Sequence, residues 1–154
     1  MRTVLAVAAA IGSLPHAGTL VPGRSLGGVR LGEAAVQVRA ALGMPGVCDG
    51  CATTTWYFTY QKFTQPGLAV ELTAGRVTGV FTVWRPQGWH TSAGLQLGAF
   101  EGQVTSLASP VTPTQCPGYT ALVHDAHLVR TAYYIVDGKL WGFGLMSTRT
   151  SPCR

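Results

Sequence analysis

The feature that most constrains the fold of this chain is an internal repeat. The segment GVRLGEAAVQVRAALG, residues 28–43, has a counterpart 66 positions later, GLQLGAFEGQVTSLAS, residues 94–109. After three positions of slippage further pairs match: Leu72 with Ile135, Gly75 with Gly138, Arg76 with Lys139, Val77 with Leu140 and Gly79 with Gly142. A repeated unit of about 65 residues indicates two copies of one supersecondary module that share an apolar core.

Each copy is predicted to be a short helix followed by an antiparallel meander. Val36, Ala40 and Leu42 recur at helical spacing, and TTTWYFTY, residues 53–60, alternates as a half-buried strand does. The dipeptide at 137–138, Asp-Gly, is a strong hairpin signal. We therefore predict an α+β fold of two tandem α-β-β-β repeats, with short helices packed on antiparallel meander sheets.

The first 17 residues have the order of a secretory signal peptide. Arg2 is followed by about twelve apolar residues and then by Pro15 and Ala17. A bilayer-spanning helix needs roughly twenty apolar residues, so a cleaved signal is favoured over a permanent anchor. We predict a protein secreted or held in the cell envelope, divided into a signal peptide, a linker, repeat 1, a joint and repeat 2, at residues 1–17, 18–27, 28–84, 85–93 and 94–154.

Export places the four cysteines in a compartment where disulfides form. Three pairings are possible, and Cys48 with Cys51 and Cys116 with Cys153 is favoured because it gives one bridge per repeat. The CDGC segment also has the spacing of a thioredoxin-like redox motif. Because it follows a predicted helix rather than opening one, a structural bridge is favoured.

The charge pattern bears on the class of partner. Charged residues make up only 11% of the chain and apolar residues 47%, which predicts a folded domain rather than a disordered one. The net charge of +5 comes from nine Arg and two Lys that are scattered singly. Binding to nucleic acid needs clustered cations, so we expect no nucleic-acid partner.

Catalytic constellations are not evident. Nucleophilic catalysis needs a Ser or Cys beside a positioned base, and no such grouping stands out. The HDAH segment, residues 124–127, offers two imidazoles and a carboxylate, but no further protein ligand is evident and its place at a predicted hairpin turn favours exposed polar residues. We predict no catalytic residue, no metal site and no cofactor, with a small metal-dependent hydrolase as the weakest alternative.

A shared motif runs through both copies: a Gly, four variable residues, Gln-Val, and later a Cys. Its carriers are Gly32, Gln37, Val38, Gly43 and Cys48, and again Gly98, Gln103, Val104 and Cys116. This pattern resembles the tandem repeat of the secreted β-lactamase inhibitory proteins and the related module of the small outer-membrane assembly lipoproteins. The resemblance implies a non-catalytic module that presents a sheet face or loops to a protein partner.

Aromatic residues supply the candidate binding site. Trp84 and Trp89 flank the joint, where burial is least assured, and with His90 and Tyr57 they are the predicted partner-binding residues. The leading hypothesis is a secreted, non-catalytic protein-binding module, for which inhibition of an extracellular or periplasmic enzyme is one role. The alternative is a structural or envelope-associated module of the cell surface. In either case we expect a protein partner and no stable insertion into a membrane.

Overall fold

The computed structural model describes residues 18–47, 54–60 and 66–154. The predicted signal peptide and the predicted bridge between Cys48 and Cys51 lie outside these ranges. No helix within them is both long and apolar enough to cross a membrane.

The described residues form two short helices and eleven strands. In chain order the elements are β1 (Thr19–Val21), β2 (Ser25–Leu26), α1 (Ala35–Leu42), β3 (Gly46–Val47), β4 (Thr54–Thr59), β5 (Gly67–Thr73), β6 (Arg76–Val83), β7 (His90–Thr91), α2 (Glu101–Leu107), β8 (Thr112–Cys116), β9 (Tyr119–Ala126), β10 (Val129–Val136) and β11 (Lys139–Ser147).

Eight strands form one antiparallel sheet in the order β3-β4-β5-β6-β11-β10-β9-β8. The other three form a small sheet in the order β2-β1-β7, in which β1 and β7 are parallel. Two of the long hairpins close through two-residue turns with positive φ at both positions, Ala74 with Gly75 and Asp137 with Gly138. Positive φ at both positions matches the right-handed twist of the strands that these turns join.

The predicted α+β class is wrong, because the fold is mostly β. Strands account for 50% of the structure and helices for 12%. Only Val38 and Leu42 of α1 and Val104 of α2 are buried, so the helices contribute little of the core. The α-β-β-β order also misses β3 and β8, which are too short or too polar to show period-two alternation.

The two halves of the large sheet make the same contacts at corresponding positions. The N–H of Gly32 donates to the carbonyl of Val77 at 2.8 Å, and the N–H of Gly98 donates to that of Leu140 at 2.7 Å. Both glycines have left-handed φ values, +83° and +92°, which a side chain would strain. Each half thus anchors the loop before its helix to its last strand in the same way.

The repeated glutamine has a capping role in each half. The Oε1 atom of Gln37 accepts the N–H of Ala34 at 2.9 Å, and that of Gln103 accepts the N–H of Phe100 at 3.1 Å. These bonds satisfy N–H groups that a helix start otherwise leaves open. Alanine and phenylalanine have no side-chain acceptor, so the reciprocal bond of a full capping box does not form.

The main core lies between one face of the large sheet, the small sheet and the two helices. Its buried members include Leu20, Leu26, Val70, Phe143 and Leu145. The opposite face, here called the outer face, carries a second and smaller cluster. That cluster contains Cys116, Ala121, Val123, Ala132, Tyr134 and Met146, with Phe81, Tyr119 and Cys153 packed against it.

The C-terminal segment, residues 148–154, lies across the outer face. A disulfide joins Cys116 to Cys153, as predicted for this pair. The hydroxyl of Tyr134 donates to the carbonyl of Pro152 at 2.9 Å, inside the protein. The segment therefore covers part of an apolar sheet face that would otherwise be open to solvent.

Candidate functional site

The site begins at the seam where the two halves of the large sheet meet. Strands β6 and β11 pair regularly over only three residue pairs, which end at Phe81 opposite Gly144. Beyond them the Oγ1 atom of Thr82 accepts the N–H of Phe143 at 2.9 Å, in place of a main-chain carbonyl. The side chain of Thr82 thus replaces a main-chain acceptor at the point where the end of β6 diverges from the start of β11.

A groove of about 340 Å³ opens beside this point, lined largely by aromatic and aliphatic side chains. It is called the aromatic groove below. Because it includes members of the second cluster, it lies on the outer face. Its lining residues are Phe81, Thr82, Val83, Trp84, Tyr119, Tyr134, Val136, Trp141 and Arg154.

Trp84 follows β6 and has an unusual backbone. Its φ is +50°, in the left-handed region that a bulky residue avoids, and its side chain is 54% exposed. Such conformations cost about 1–3 kcal/mol and are concentrated at functional sites. This backbone conformation places a large apolar ring at the solvent edge of the groove.

Trp141 lies across the seam from Trp84, near the start of β11. Tyr134 pairs with Gly142 and Ile135 with Leu140, so Trp141 is the extra residue of a β-bulge. Bulges of this kind redirect a side chain. The ring of Trp141 is 37% exposed and lines the same groove as Trp84.

Arg154 closes one end of the groove and is fixed on several sides. Its Nε atom lies 3.2 Å from Oε1 of Glu71, and its guanidinium is 5.8 Å from the ring centroid of Phe81. Its carbonyl accepts the hydroxyl of Tyr119 at 2.6 Å. The charge of Arg154 is therefore already compensated by a carboxylate.

A second depression of about 400 Å³ lies beside the joint between the halves and is here called the cationic cleft. It is lined by Arg85, Gln87, Gly88, Trp89, Gln96, Leu97, Gly98 and Lys139. Two cations and two amides line this cleft, and no acidic residue does. Among the described residues neither Arg85 nor Lys139 forms a salt bridge.

Of the predicted partner-binding residues, Trp84 lines the aromatic groove and its partner-binding role stays a prediction. Trp89 does not fit its predicted role, because it is only 1% exposed. Its ring fills the space above Gly18 and Gly27, where an added Cβ would lie 2.5 Å and 2.9 Å from ring atoms. Its indole N–H donates to the hydroxyl of Tyr60. Trp89 is thus a core residue.

The other two predicted residues lie apart from the groove. His90 is half-buried in β7, with Nε2 3.4 Å from the hydroxyl oxygen of Thr19 and Nδ1 3.2 Å from the carbonyl oxygen of Gly88. Tyr57 is on β4, two strands away from β6. Neither residue lines the groove or the cleft.

The HDAH segment does not assemble a metal site among the described residues. Asp125 forms two 2.8 Å hydrogen bonds with the guanidinium of Arg130, and these bonds hold the pKa of its carboxyl below the usual value. Nδ1 of His124 lies 2.7 Å from the carbonyl oxygen of Pro110. His127 occupies a turn with φ +56°. These groups already have structural roles.

Several groove residues were not identified from the sequence. Trp141 sits in a strand with an apolar pattern, and its exposure follows from a bulge that the pattern does not show. Thr78 is the unpaired bulge residue at the corresponding place in the first half, so both copies of the repeat carry a bulge at this position. Arg154 and Tyr119 meet only through the course of the C-terminal segment.

Comparison with solved structures finds the same fold. A DUF4309 family protein from Bacillus subtilis, YjgB, aligns with a TM-score of 0.58 and 15% identity, covering 80% of this chain and 84% of that chain. A cysteine-rich secretory protein from Staphylococcus aureus and an extracellular protein containing a SCP domain from Bacillus anthracis both align with a TM-score of 0.50, at 10% and 11% identity. The alignment covers 77% of this chain and 44% of each of those two.

At these identities the likeness shows the fold alone. A scan against protein-family models finds no match, and a search of the curated proteins finds no significant one. The resemblance to the β-lactamase inhibitory proteins stays a prediction.

Proposed function

We propose that this chain is an extracytoplasmic, non-catalytic protein-binding module and that the aromatic groove is its binding site. The observation that carries the proposal is the pair of exposed tryptophans, Trp84 and Trp141, on the two sides of the seam. Exposed Trp side chains contribute strongly to protein interfaces when a partner desolvates them. The strained backbone of Trp84 supports the proposal, since a structural role would not require a bulky residue there.

The lining of the groove favours an apolar peptide side chain over a sugar. Recognition of a sugar needs several polar side chains around the stacking ring, to bond its hydroxyl groups. The lining includes no Asn, Asp, Gln or Glu, and the guanidinium of Arg154 already contacts Glu71. An aromatic or long aliphatic side chain on an extended segment of a partner protein fits this lining better.

The extracytoplasmic location is supported by the bridge between Cys116 and Cys153, since such bonds persist in oxidising compartments. Two of the structural neighbours are described as a secretory and an extracellular protein. A binding role at the cell surface or in the medium, including inhibition of a partner enzyme, is compatible with this location.

Selection of peptides tests the proposal. The purified protein, with its disulfide intact, is immobilised and used to enrich random 12-residue peptides from a display library. Enriched peptides should share an aromatic or long aliphatic residue. Trp84→Ala and Trp141→Ala should each weaken their binding at least tenfold, because truncation of a central interface Trp costs about 2 kcal/mol or more.

Leu128→Ala is the matched control, because Leu128 is 71% exposed but lies in the turn between β9 and β10, outside the groove. It should leave peptide binding unchanged. If no peptide is enriched, or if the enriched peptides bind both Trp variants as well as the parent, the groove is not a peptide site. Binding of glycans on an array, dependent on the same two tryptophans, would replace the proposed partner class with carbohydrate.

A further inference from the structure

We infer that the cationic cleft is the second half of the same interface and binds an acidic side chain, Asp or Glu, of the partner segment whose apolar side chain occupies the aromatic groove. The inference rests on the proposed function. It adds the charge and the arrangement of the partner: an apolar residue and a carboxylate on one segment.

The first reason is the charge of the cleft. Arg85 and Lys139 both line it, and both are exposed. Each has an aromatic contact instead of an ion pair: the Arg85 guanidinium is 5.7 Å from the ring centroid of Trp141, and Nζ of Lys139 is 5.6 Å from that of Phe100. Two uncompensated cations at one concave site attract a carboxylate.

The second reason is the position of the cleft relative to the groove. Trp84 and Arg85 are consecutive, and Lys139 and Trp141 are two residues apart at the start of β11. Each side of the seam therefore supplies one tryptophan to the groove and one cation to the cleft. The Arg85 guanidinium of the cleft also lies 5.7 Å from the ring centroid of Trp141 in the groove, so the two depressions adjoin at this contact.

The third reason concerns the donors that the cleft offers. The N–H of Gly98 already donates to the carbonyl of Leu140, and that of Leu97 to the carbonyl of Trp89. Capture of a chain-terminal carboxylate commonly uses a nest of main-chain N–H groups, and these two bonds leave the N–H groups of Leu97 and Gly98 unavailable for one. Donors from the side chains of Arg85, Lys139, Gln87 and Gln96 suit an acidic side chain.

Short synthetic peptides test the inference. The probes are acetyl-Trp-(Gly)n-Glu-amide peptides with n from 1 to 4, and the same series with Gln in place of Glu. A third series, acetyl-Trp-(Gly)n with a free C-terminal carboxylate, shows whether the cleft prefers a side-chain carboxylate or a chain-terminal one. Binding is followed by the chemical-shift changes of ¹⁵N-labelled protein at low ionic strength.

For at least one spacer length the Glu peptide should bind at least fivefold more tightly than its Gln analogue. The double variant Arg85→Gln/Lys139→Gln should abolish this preference, so that the Glu and Gln peptides bind the variant with equal affinity. The matched control, Arg24→Gln/Arg149→Gln, removes the same net charge from exposed residues outside the cleft and should keep the preference.

The outcomes separate the two proposals. If Glu and Gln peptides bind equally while Trp84→Ala weakens both, the acidic side-chain site is overturned and the groove stands. If the preference persists in Arg85→Gln/Lys139→Gln, or the free-carboxylate series binds more tightly than the Glu series, this inference is also overturned. If no peptide binding depends on Trp84, the proposed function itself fails.

Discussion

The hydroxyl oxygen of Thr82 lies 2.9 Å from the amide nitrogen of Phe143, at the seam between the two halves of the large sheet. Regular pairing of β6 and β11 ends next to this contact. The same hydroxyl lies 3.4 Å from the carbonyl oxygen of Phe143. One side chain therefore contacts both main-chain polar groups of Phe143, at a place that also lines the groove.

Thr82→Val should lower the free energy of unfolding by about 1–3 kcal/mol, because it leaves the buried N–H of Phe143 without an acceptor. Thr82→Ser keeps the hydroxyl and is the matched control, with a smaller loss. Urea denaturation followed by tryptophan fluorescence measures both. If the valine variant is as stable as the parent, the N–H of Phe143 finds another acceptor at the seam between β6 and β11.

Trp84→Gly should raise the free energy of unfolding by about 1 kcal/mol, since glycine adopts φ of +50° without strain. Trp84→Ala removes the same ring but keeps the strained conformation, so it should show no such gain. Thermal unfolding of the two variants separates backbone strain from loss of the ring. Equal stability of the Gly and Ala variants would argue against strain at this position.

Removal of the bridge in Cys116→Ser/Cys153→Ser should lower the free energy of unfolding by about 4 kcal/mol on the chain-entropy model, for cysteines 37 positions apart. Cys48→Ser/Cys51→Ser provides the comparison, because a bridge between those cysteines closes a shorter loop and should contribute less. Denaturation in guanidinium measures both. A larger loss in the second variant would contradict the expected order.

Stability should fall in alkali because of a buried phenol. Burial raises the pKa of Tyr133 from 10.0 to about 12. Below pH 10 the phenol of Tyr133 is neutral in both the folded and the unfolded protein, so its ionisation does not change the free energy of unfolding. Between about pH 10 and 12 only the unfolded state loses the proton, which lowers the free energy of unfolding by about 1.4 kcal/mol per pH unit. Tyr133→Phe should remove this part of the slope in denaturation series at graded pH.

If the parent and Tyr133→Phe lose stability with the same slope over that range, Tyr133 is not the responsible group. Absorbance at 295 nm, which follows phenolate formation, provides an independent reading. It should show one fewer late-ionising phenol in the folded variant than in the folded parent, because burial also raises the pKa of Tyr134, which both proteins keep.

Much of the local structure followed from neighbouring residues. The turn at Asp137 and Gly138 was expected from the dipeptide, and both residues have positive φ. The pairing of Cys116 with Cys153 was favoured because these two cysteines lie in the second copy, and it forms. Hairpins and turns are set by residues a few positions apart, so period-two alternation and turn residues are enough to predict them.

The fold class required the tertiary structure. The amphipathic pattern of residues 33–42 predicted a helix, and α1 covers most of that range. How much each helix contributes to the core depends on how many of its side chains meet the sheet, and only three in the two helices are buried. A local pattern gives the type of an element but not its share of the core.

Trp84 and Trp89 show, at single residues, the difference between what the local sequence predicts and what the tertiary structure decides. Both lie near the joint, and the sequence treats them alike. Trp89 is buried because Gly18 and Gly27, about 60 to 70 positions earlier, have no side chain and so leave room for its ring. Trp84 stays exposed because β6 ends beside β11. The sequence by itself determined turns, hairpins and the favoured disulfide, whereas burial depends on which distant segments meet, and only the tertiary structure decided that.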